Sequence, residues 1–442
     1  MKQFAPDLLQ DWTQGSWTFL PQNRITNFCF DTRKLKPNEC FLAIKNDHND
    51  GHNYVNMAQK CGAVAAIVEH PIADVQLPQL VVKNTLSAFQ QIAKKYRESL
   101  PTNIIAVTGS CGKTTFKELL ALLLGENTFK TPNNFNNQLG LPYSITHIDK
   151  NLHPYAVIEV GISQPNEMDL LADILKPDET ILTNIAPVHI ENFDSLETLT
   201  IEKFKLLNCA KYNSFFPEIF KKYNSKTEHF FQFSEAYKET DFSIFYTLQE
   251  TPIGWNIQVE NSIFSVPFLL GSECIKTFAM AIAIAQKHGI PDKIIQERLT
   301  QWRPFYNRGI WQQVAQRKYF VDCYNANPLS YSDSLQHFYR EKPNYPTCFV
   351  LGSMQELGQQ STKYHQQLAR NIQGNPDDVF ICVGDFCDAI SQGLISAHIN
   401  EQQIYCVKTC SEAKQLLNHL PHLCVYVKGS HCYHLENLVA EV

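Results

Sequence analysis

Short apolar runs alternate with stretches of helical period along most of this chain. Within residues 1–100, "CFLAI", "AVAAIV" and "LVV" read as buried strands. "YVNMAQKCG" and "LSAFQQIAKKYRESL" space their apolar residues three and four apart and read as helices, the first closed by Gly62. "SLPTN" then reads as a linker. Beyond it, "IIAVTG", "YAVIEVG" and "ETILTNIA" have the continuous apolar character of parallel strands. "FFQFS", "DFSIFYTL" and "GWNIQVENSIFSVPF" break that rhythm and predict an antiparallel insertion, followed by a helix in "IKTFAMAIAIAQKHG" that ends at Gly289. "WRPFYNRG" (302–309) reads as a second linker, after which "KYFVDCY", "TCFVLG", "VFICVG" and "CVYVKG" return to strands. The pattern predicts an α/β chain of three domains, 1–100, 101–304 and 305–442, without internal repeats or low-complexity segments.

Composition narrows the class. The 442 residues are 44% apolar and 19% charged, enough for several cores. A net charge of −6 without a long basic run argues against a nucleic-acid surface. No apolar stretch approaches the roughly 20 residues that span a bilayer, so no membrane insertion is expected. The start, "MKQFAPDLLQDW", lacks the basic-then-apolar order of a signal peptide. Fourteen cysteines are scattered without a C-x-x-C pair, which argues against a zinc site or disulfide framework. A cytoplasmic protein with reduced thiols is the expectation.

The chemistry concentrates in a few segments. "VTGSCGKTTF" places Gly109, Ser110, Cys111, Gly112, Lys113, Thr114 and Thr115 between a strand and a helix. Glycines let backbone N–H groups close around phosphate oxygens, and the helix N-terminus adds its positive dipole end. Lys113 can reach terminal phosphates, and the Thr114 hydroxyl can ligate Mg²⁺. Val107 stands where the strict phosphate-loop pattern has glycine. Cys111, at a helix N-terminus beside Lys113, is expected to be a reactive thiolate. Glu159 closes a strand, where parallel sheets bind ligands, and could hold Mg²⁺; taken alone, such a residue is more often a solvated turn. His189, alone, is more often structural than a ligand. "NNFNNQLGLP" packs four asparagines into five positions, and "VDCYNANPLSYSDSL" sets a carboxylate and two amides on one turn before a helix.

Phosphate loop, strand-end Glu159, "TNIAPVHIENF", "RPFYNRG", "DCYNANP", "LGSMQELG" and "VKGSHCYHLE", in that order, resemble the Mur ligases. Within that family the resemblance is to members that join D-alanyl-D-alanine to UDP-N-acetylmuramoyl-tripeptide, completing the cytoplasmic peptidoglycan precursor. It covers nearly the whole chain, including "CFDTRKLKPNECFLAIKNDHNDGHNYV", which is similar to a UDP-sugar-binding domain. It implies a UDP-sugar domain, a central P-loop ATPase-like domain and a Rossmann-like C-terminal domain. Lys113 and Thr114 would then serve ATP and a first Mg²⁺, with Glu159 completing that ion's shell. His189 would attend a second Mg²⁺, and Lys203 matches a lysine that the family carbamylates to bridge metals. Asn134 and Asn137 match positions beside ATP, and Asn136 a position beside the substrate. Arg308, Asp322 and Asn325 match nucleotide-facing positions of the third domain, with Tyr324 and Asn327 on its substrate side. Asp31, Thr32, Arg33 and Asp50 match the UDP-sugar side. A monomeric, ADP-forming ligase with an acyl-phosphate intermediate is implied.

The chain departs from the family pattern in places. "GSECIKT" puts Glu273, Cys274 and Thr277 where the family has G-x-H-N-x-x-N against the nucleotide. Ser353 stands for an acid, His431 for an arginine, Lys205 for an acid and Asn166 for a glycine. These changes leave room for an amide ligase with another amine acceptor, or for a non-catalytic precursor-binding relative.

Overall fold

The computed structural model describes residues 3–226, 228–235, 242–305, 307–421 and 424–439. Three sheets follow one another along the chain. The first has five strands, in the order Ser16–Trp17, Gln79–Val81, Ala65–Val68, Glu39–Leu42 and Asn27–Cys29; only the Ser16 strand is antiparallel to its neighbour. Its inward residues, among them Phe28, Leu42, Ile67 and Leu80, are buried against the helix Thr85–Glu98, whose Phe89, Ile92 and Ala93 fall on one face.

The second sheet has nine strands. The strand Asn103–Thr108, third from one edge, lies between Tyr155–Glu159 and Glu179–Leu182, both parallel to it. Successive connections therefore leave this strand on opposite sides, which opens a crevice at its C-terminal end. The Phe230–Ser234 strand pairs in parallel with both Asn213–Pro217 and Ser243–Thr251. Antiparallel pairing begins only with the Ser243, Gly254 and Ser262 strands, so the predicted insertion is shorter than expected. Strand direction is set by long-range pairing, which a local apolar run such as "FFQFS" does not carry.

The third sheet has six strands: Ile310–Val314, Arg317–Asp322, Cys424–Lys428, Thr347–Gly352, Val379–Val383 and Ile404–Val407. All but the Ile310 edge strand run parallel. The Arg317 strand ends at Asp322, and the turn that follows leads into the helix Pro328–Glu341. The C-terminal ends of the second and third sheets thus face one another across a cleft. No helix among the described residues is long and apolar enough to cross a membrane.

Candidate active site

The strand Asn103–Thr108 runs into a turn whose backbone requires glycine. Gly109 has φ 147°, and a Cβ there would lie 2.0 Å from Thr183 Oγ1. Gly112, at φ 78°, caps the helix Lys113–Leu124. The neighbouring strand's continuation holds the loop from one side. Asn184 accepts the Ser110 N–H on its carbonyl and the Cys111 N–H on its side-chain oxygen, both at 2.9 Å. Ser110 Oγ donates to the Ala186 carbonyl and accepts the Ala186 N–H, each at 2.8 Å. The loop is therefore shaped by the protein itself, with its helix N-terminus at a cavity of about 440 Å³.

Two lysines meet behind the loop. Lys113 Nζ donates to the Gly109 carbonyl at 2.8 Å, and Lys203 Nζ, from the helix Leu196–Asn208, donates to the same oxygen at 3.3 Å. Lys203 is only 1% exposed. Burial, reinforced by the charge of Lys113, pushes its amine well below the usual lysine range; burial also lowers Lys113. Lys205 lies on another part of that helix, paired with Asp169 at 2.6 Å and Glu202 at 2.8 Å.

Glu159 is buried at the end of its strand and held on both oxygens. Thr114 Oγ1 donates to Oε2 at 3.0 Å, and Asn136 Nδ2 donates to Oε1 at 2.9 Å. Lys117, fully buried, stands 3.9 Å from Oε2 and donates to the Thr131 and Asn133 carbonyls. The sequence reading missed Lys117, which looks there like an ordinary helix lysine. Thr115, Asn134 and Asn137 also line the cavity, and Asn137 Oδ1 accepts the Gly140 N–H at 2.9 Å.

The opposite wall comes from the third sheet. Arg308 Nη2 donates to Thr114 Oγ1 at 3.1 Å, while its guanidinium lies 4.1 Å from the Tyr324 ring centre. Its Nε–H is buried without a partner among the described residues. Asn327 caps the Pro328 helix through the Ser330 N–H at 2.9 Å, and its Nδ2 donates to Cys111 Sγ at 2.8 Å. Asp322 accepts Lys428 Nζ at 2.9 Å, and the same ammonium donates to the Asn325 carbonyl at 3.2 Å. His189, at φ 52°, places Nδ1 2.5 Å from Glu356 Oε2 across the cleft.

One expectation changes here, while Glu273, Cys274 and Thr277 line the cavity. Cys111 is half-buried against Asn327, and burial raises its thiol pKa; desolvation outweighs Lys113, so the expected thiolate is not favoured. The "GSECIKT" segment starts the helix Ser272–Lys287, and its first N–H groups are already capped: Asp333 accepts those of Glu273 at 2.8 Å and Cys274 at 3.2 Å. Asp333 belongs to the third-sheet region, and no local signal in the sequence marks it as a cap for a helix sixty residues earlier. Asp31, Thr32, Arg33 and Asp50 do not line the cavity. Asp31 takes Arg33 bidentately at 2.9 Å, and Asp50 caps its own turn through the His52 N–H.

Comparison with known proteins matches this geometry to a family. The Mur ligase middle domain matches residues 107–285, and the Mur ligase glutamate ligase domain matches residues 310–431. The UDP-N-acetylmuramoyl-tripeptide–D-alanyl-D-alanine ligase of Synechocystis sp. is 30% identical, over 84% of this chain and 82% of that protein. The chain belongs to the Mur ligase family. The Escherichia coli (strain K12) ligase of the same name is 29% identical over 92% of each chain. A crystal structure of MurF from Acinetobacter baumannii superposes with a TM-score of 0.86 at 28% identity, covering 99% of this chain and 98% of that one. The superposition extends over all three sheets of this chain.

Proposed function

We propose that this Mur ligase joins D-alanyl-D-alanine to UDP-N-acetylmuramoyl-tripeptide, with ATP converted to ADP and phosphate. The reading rests on one observation. The phosphate loop with Lys113, the Thr114–Glu159 pair and Arg308 from the third-sheet region meet in a single cavity. Residues 1–100 would hold the UDP-sugar through Asp31, Thr32, Arg33 and Asp50, residues 101–304 the nucleotide, and 305–442 would close the site.

A free carboxylate resists attack by an amine. Phosphorylation of the tripeptide's terminal carboxyl by ATP supplies a leaving group. The dipeptide amine then attacks the acyl phosphate, and phosphate departs from the tetrahedral intermediate as the amine loses its proton. The loop's N–H groups and Lys113 neutralise charge on the transferring phosphoryl group. The unpartnered Arg308 Nε–H and the lowered Lys113 are both groups that an anion would satisfy. Asn327 and Arg308 keep the third domain over the loop, which excludes water from the acyl phosphate.

The oxygen donors also fit Mg²⁺. Thr114 Oγ1 and Glu159 Oε2, 3.0 Å apart, would hold a first ion, with His189 and a carbamylated Lys203 at a second. When bound, Mg²⁺ supplies positive charge against the phosphates. Burial of Lys203 favours the neutral amine, the form that adds to CO₂. A monomer in the cytoplasm, where nucleotide-linked precursors are made, completes the proposal. Mass spectrometry of a reaction containing UDP-tripeptide, D-alanyl-D-alanine, ATP and Mg²⁺ tests it. The expected product is the UDP-pentapeptide with stoichiometric ADP; ADP release without that product, or no turnover by folded protein, overturns it.

A further inference from the structure

The third sheet carries a second group of chemically competent side chains that shares no residue with the nucleotide cavity. The strand Val379–Val383 leads into the helix Cys387–Ser396, and the next strand, Ile404–Val407, runs parallel beside it. In that register Cys406 sits opposite Cys382, and its Sγ comes within 3.6 Å of the Cys387 carbonyl. The Sγ atoms of Cys387 and Cys406 and a carboxylate oxygen of Asp388 all lie within 4.8 Å of one another. Cys387 is buried, while Asp388 and Cys406 are open to solvent. A helix's first turn and a paired strand fix the three backbones. The sequence could not show this, because Cys406 lies nineteen positions after Cys387 and no C-x-x-C spacing joins them.

A second observation marks the group as a charged site. The Lys408 ammonium lies 3.2 Å from Cys387 Sγ and 3.9 Å from Asp388 Oδ2. A cation is thus already held by two of the three donors.

We infer that Cys387, Asp388 and Cys406 bind a thiophilic divalent cation, Zn²⁺ above all, with water in the fourth position. Zinc takes thiolate sulfur at about 2.3 Å and carboxylate oxygen at about 2.0–2.2 Å. Tetrahedral donors then stand roughly 3.3–3.8 Å apart, so side-chain rotations that close about 1 Å complete the shell. Two sulfur donors select against Mg²⁺, which prefers an all-oxygen shell. On binding, two metal–sulfur bonds form and both thiol protons pass to solvent. Two thiolates, a carboxylate and Zn²⁺ leave one net negative charge. Lys408 neutralises it from outside the shell through its contact with Cys387 Sγ.

Cobalt titration of the reduced full-length protein tests the site, since Co²⁺ bound by thiolate absorbs strongly by charge transfer. One equivalent should develop that band, and Zn²⁺ should abolish it by displacement. Cys406→Ser and Cys387→Ser should each remove the band while retaining ligase turnover, which shows that they fold. Lys408→Met should weaken binding about tenfold; a loose surface attraction would instead strengthen when a positive charge is removed. The inference is overturned if wild-type protein gives no band. It is equally overturned if the band persists in Cys406→Ser, which would assign it to another thiol such as Cys111.

Discussion

Lys113 and Lys203 donate to one and the same acceptor, the carbonyl oxygen of Gly109, at 2.8 and 3.3 Å. Two ammonium groups on one oxygen repel each other, and the more buried of the two gives up charge first. Lys203 is that residue. Lys203→Ala is expected to lose at least about 10²-fold in turnover and to recover in part when a short carboxylic acid is added. Wild-type enzyme stripped of CO₂ should slow and recover with bicarbonate. Normal turnover of Lys203→Ala in CO₂-free buffer would rule out the carbamate.

Lys113→Ala is expected to cost on the order of 10²–10³ in rate, the usual loss for one well-placed electrostatic contact. Stability should move the other way. Burial lowers this amine's pKa, so the unfolded chain holds the proton more tightly. The folded state therefore loses stability as pH falls from above the ordinary lysine value through the lowered one. Lys113→Met, nucleotide-free at neutral pH, should melt higher than wild type. A lower Tm with rate unaffected would contradict both halves.

Asp333 couples two domains through a single cap. Burial raises its carboxyl pKa to about 6. The docked state therefore binds a proton more tightly than an exposed carboxyl does, and this contribution is present at pH 4 and lost as pH rises through about 6. Small-angle scattering should show the wild-type protein compacting between pH 7.5 and 5, and Asp333→Ala responding less over the same range. At pH 5, where this contribution is still present, removing the cap should also cost about 1 kcal/mol of stability. Identical profiles for the two proteins would show that the cap does not govern docking.

Cys111 should be slow to alkylate at neutral pH, because its Sγ is covered by Asn327 and its thiolate is disfavoured. Peptide mapping after brief iodoacetamide treatment should find it labelled well after the exposed Cys209. Asn327→Ala, which uncovers the sulfur, should speed the labelling. Equal rates in both proteins would show that the third domain does not rest on the loop.

Much of this site was legible because its signals are local. Strand, glycine turn, Lys113, Thr114 and helix stand consecutively, so the loop could be read despite Val107. The strand ending at Asp322 and the amide-rich turn after it were likewise contiguous. Lys117 and Asp333 were not legible, since their partners, Glu159 and the Ser272 helix, arrive only through tertiary packing. Cys111 was misread for a related reason: its helix position is visible in sequence, but the desolvation that opposes it is not. The edge strand Ile310–Val314 escaped because Gln312 and Gln313 hide its period.

Asn327 has a consequence for kinetics. By capping the Pro328 helix while touching Cys111, it aims that helix's N-terminus at the same space as the N-terminus of the Lys113 helix. The Ser272 helix is neutralised by Asp333, which leaves two positive dipole ends together with Lys113 and Arg308 in a walled cleft. Such an arrangement focuses the field outward and draws a polyphosphate in before any contact forms. The lining also carries Glu118, Glu159, Glu167 and Glu273, so the attraction is confined to the loop side of the cleft, where it should make nucleotide capture sensitive to ionic strength. Stopped-flow association with a fluorescent ATP analogue would then slow steeply as salt rises, while the dissociation rate stays nearly constant.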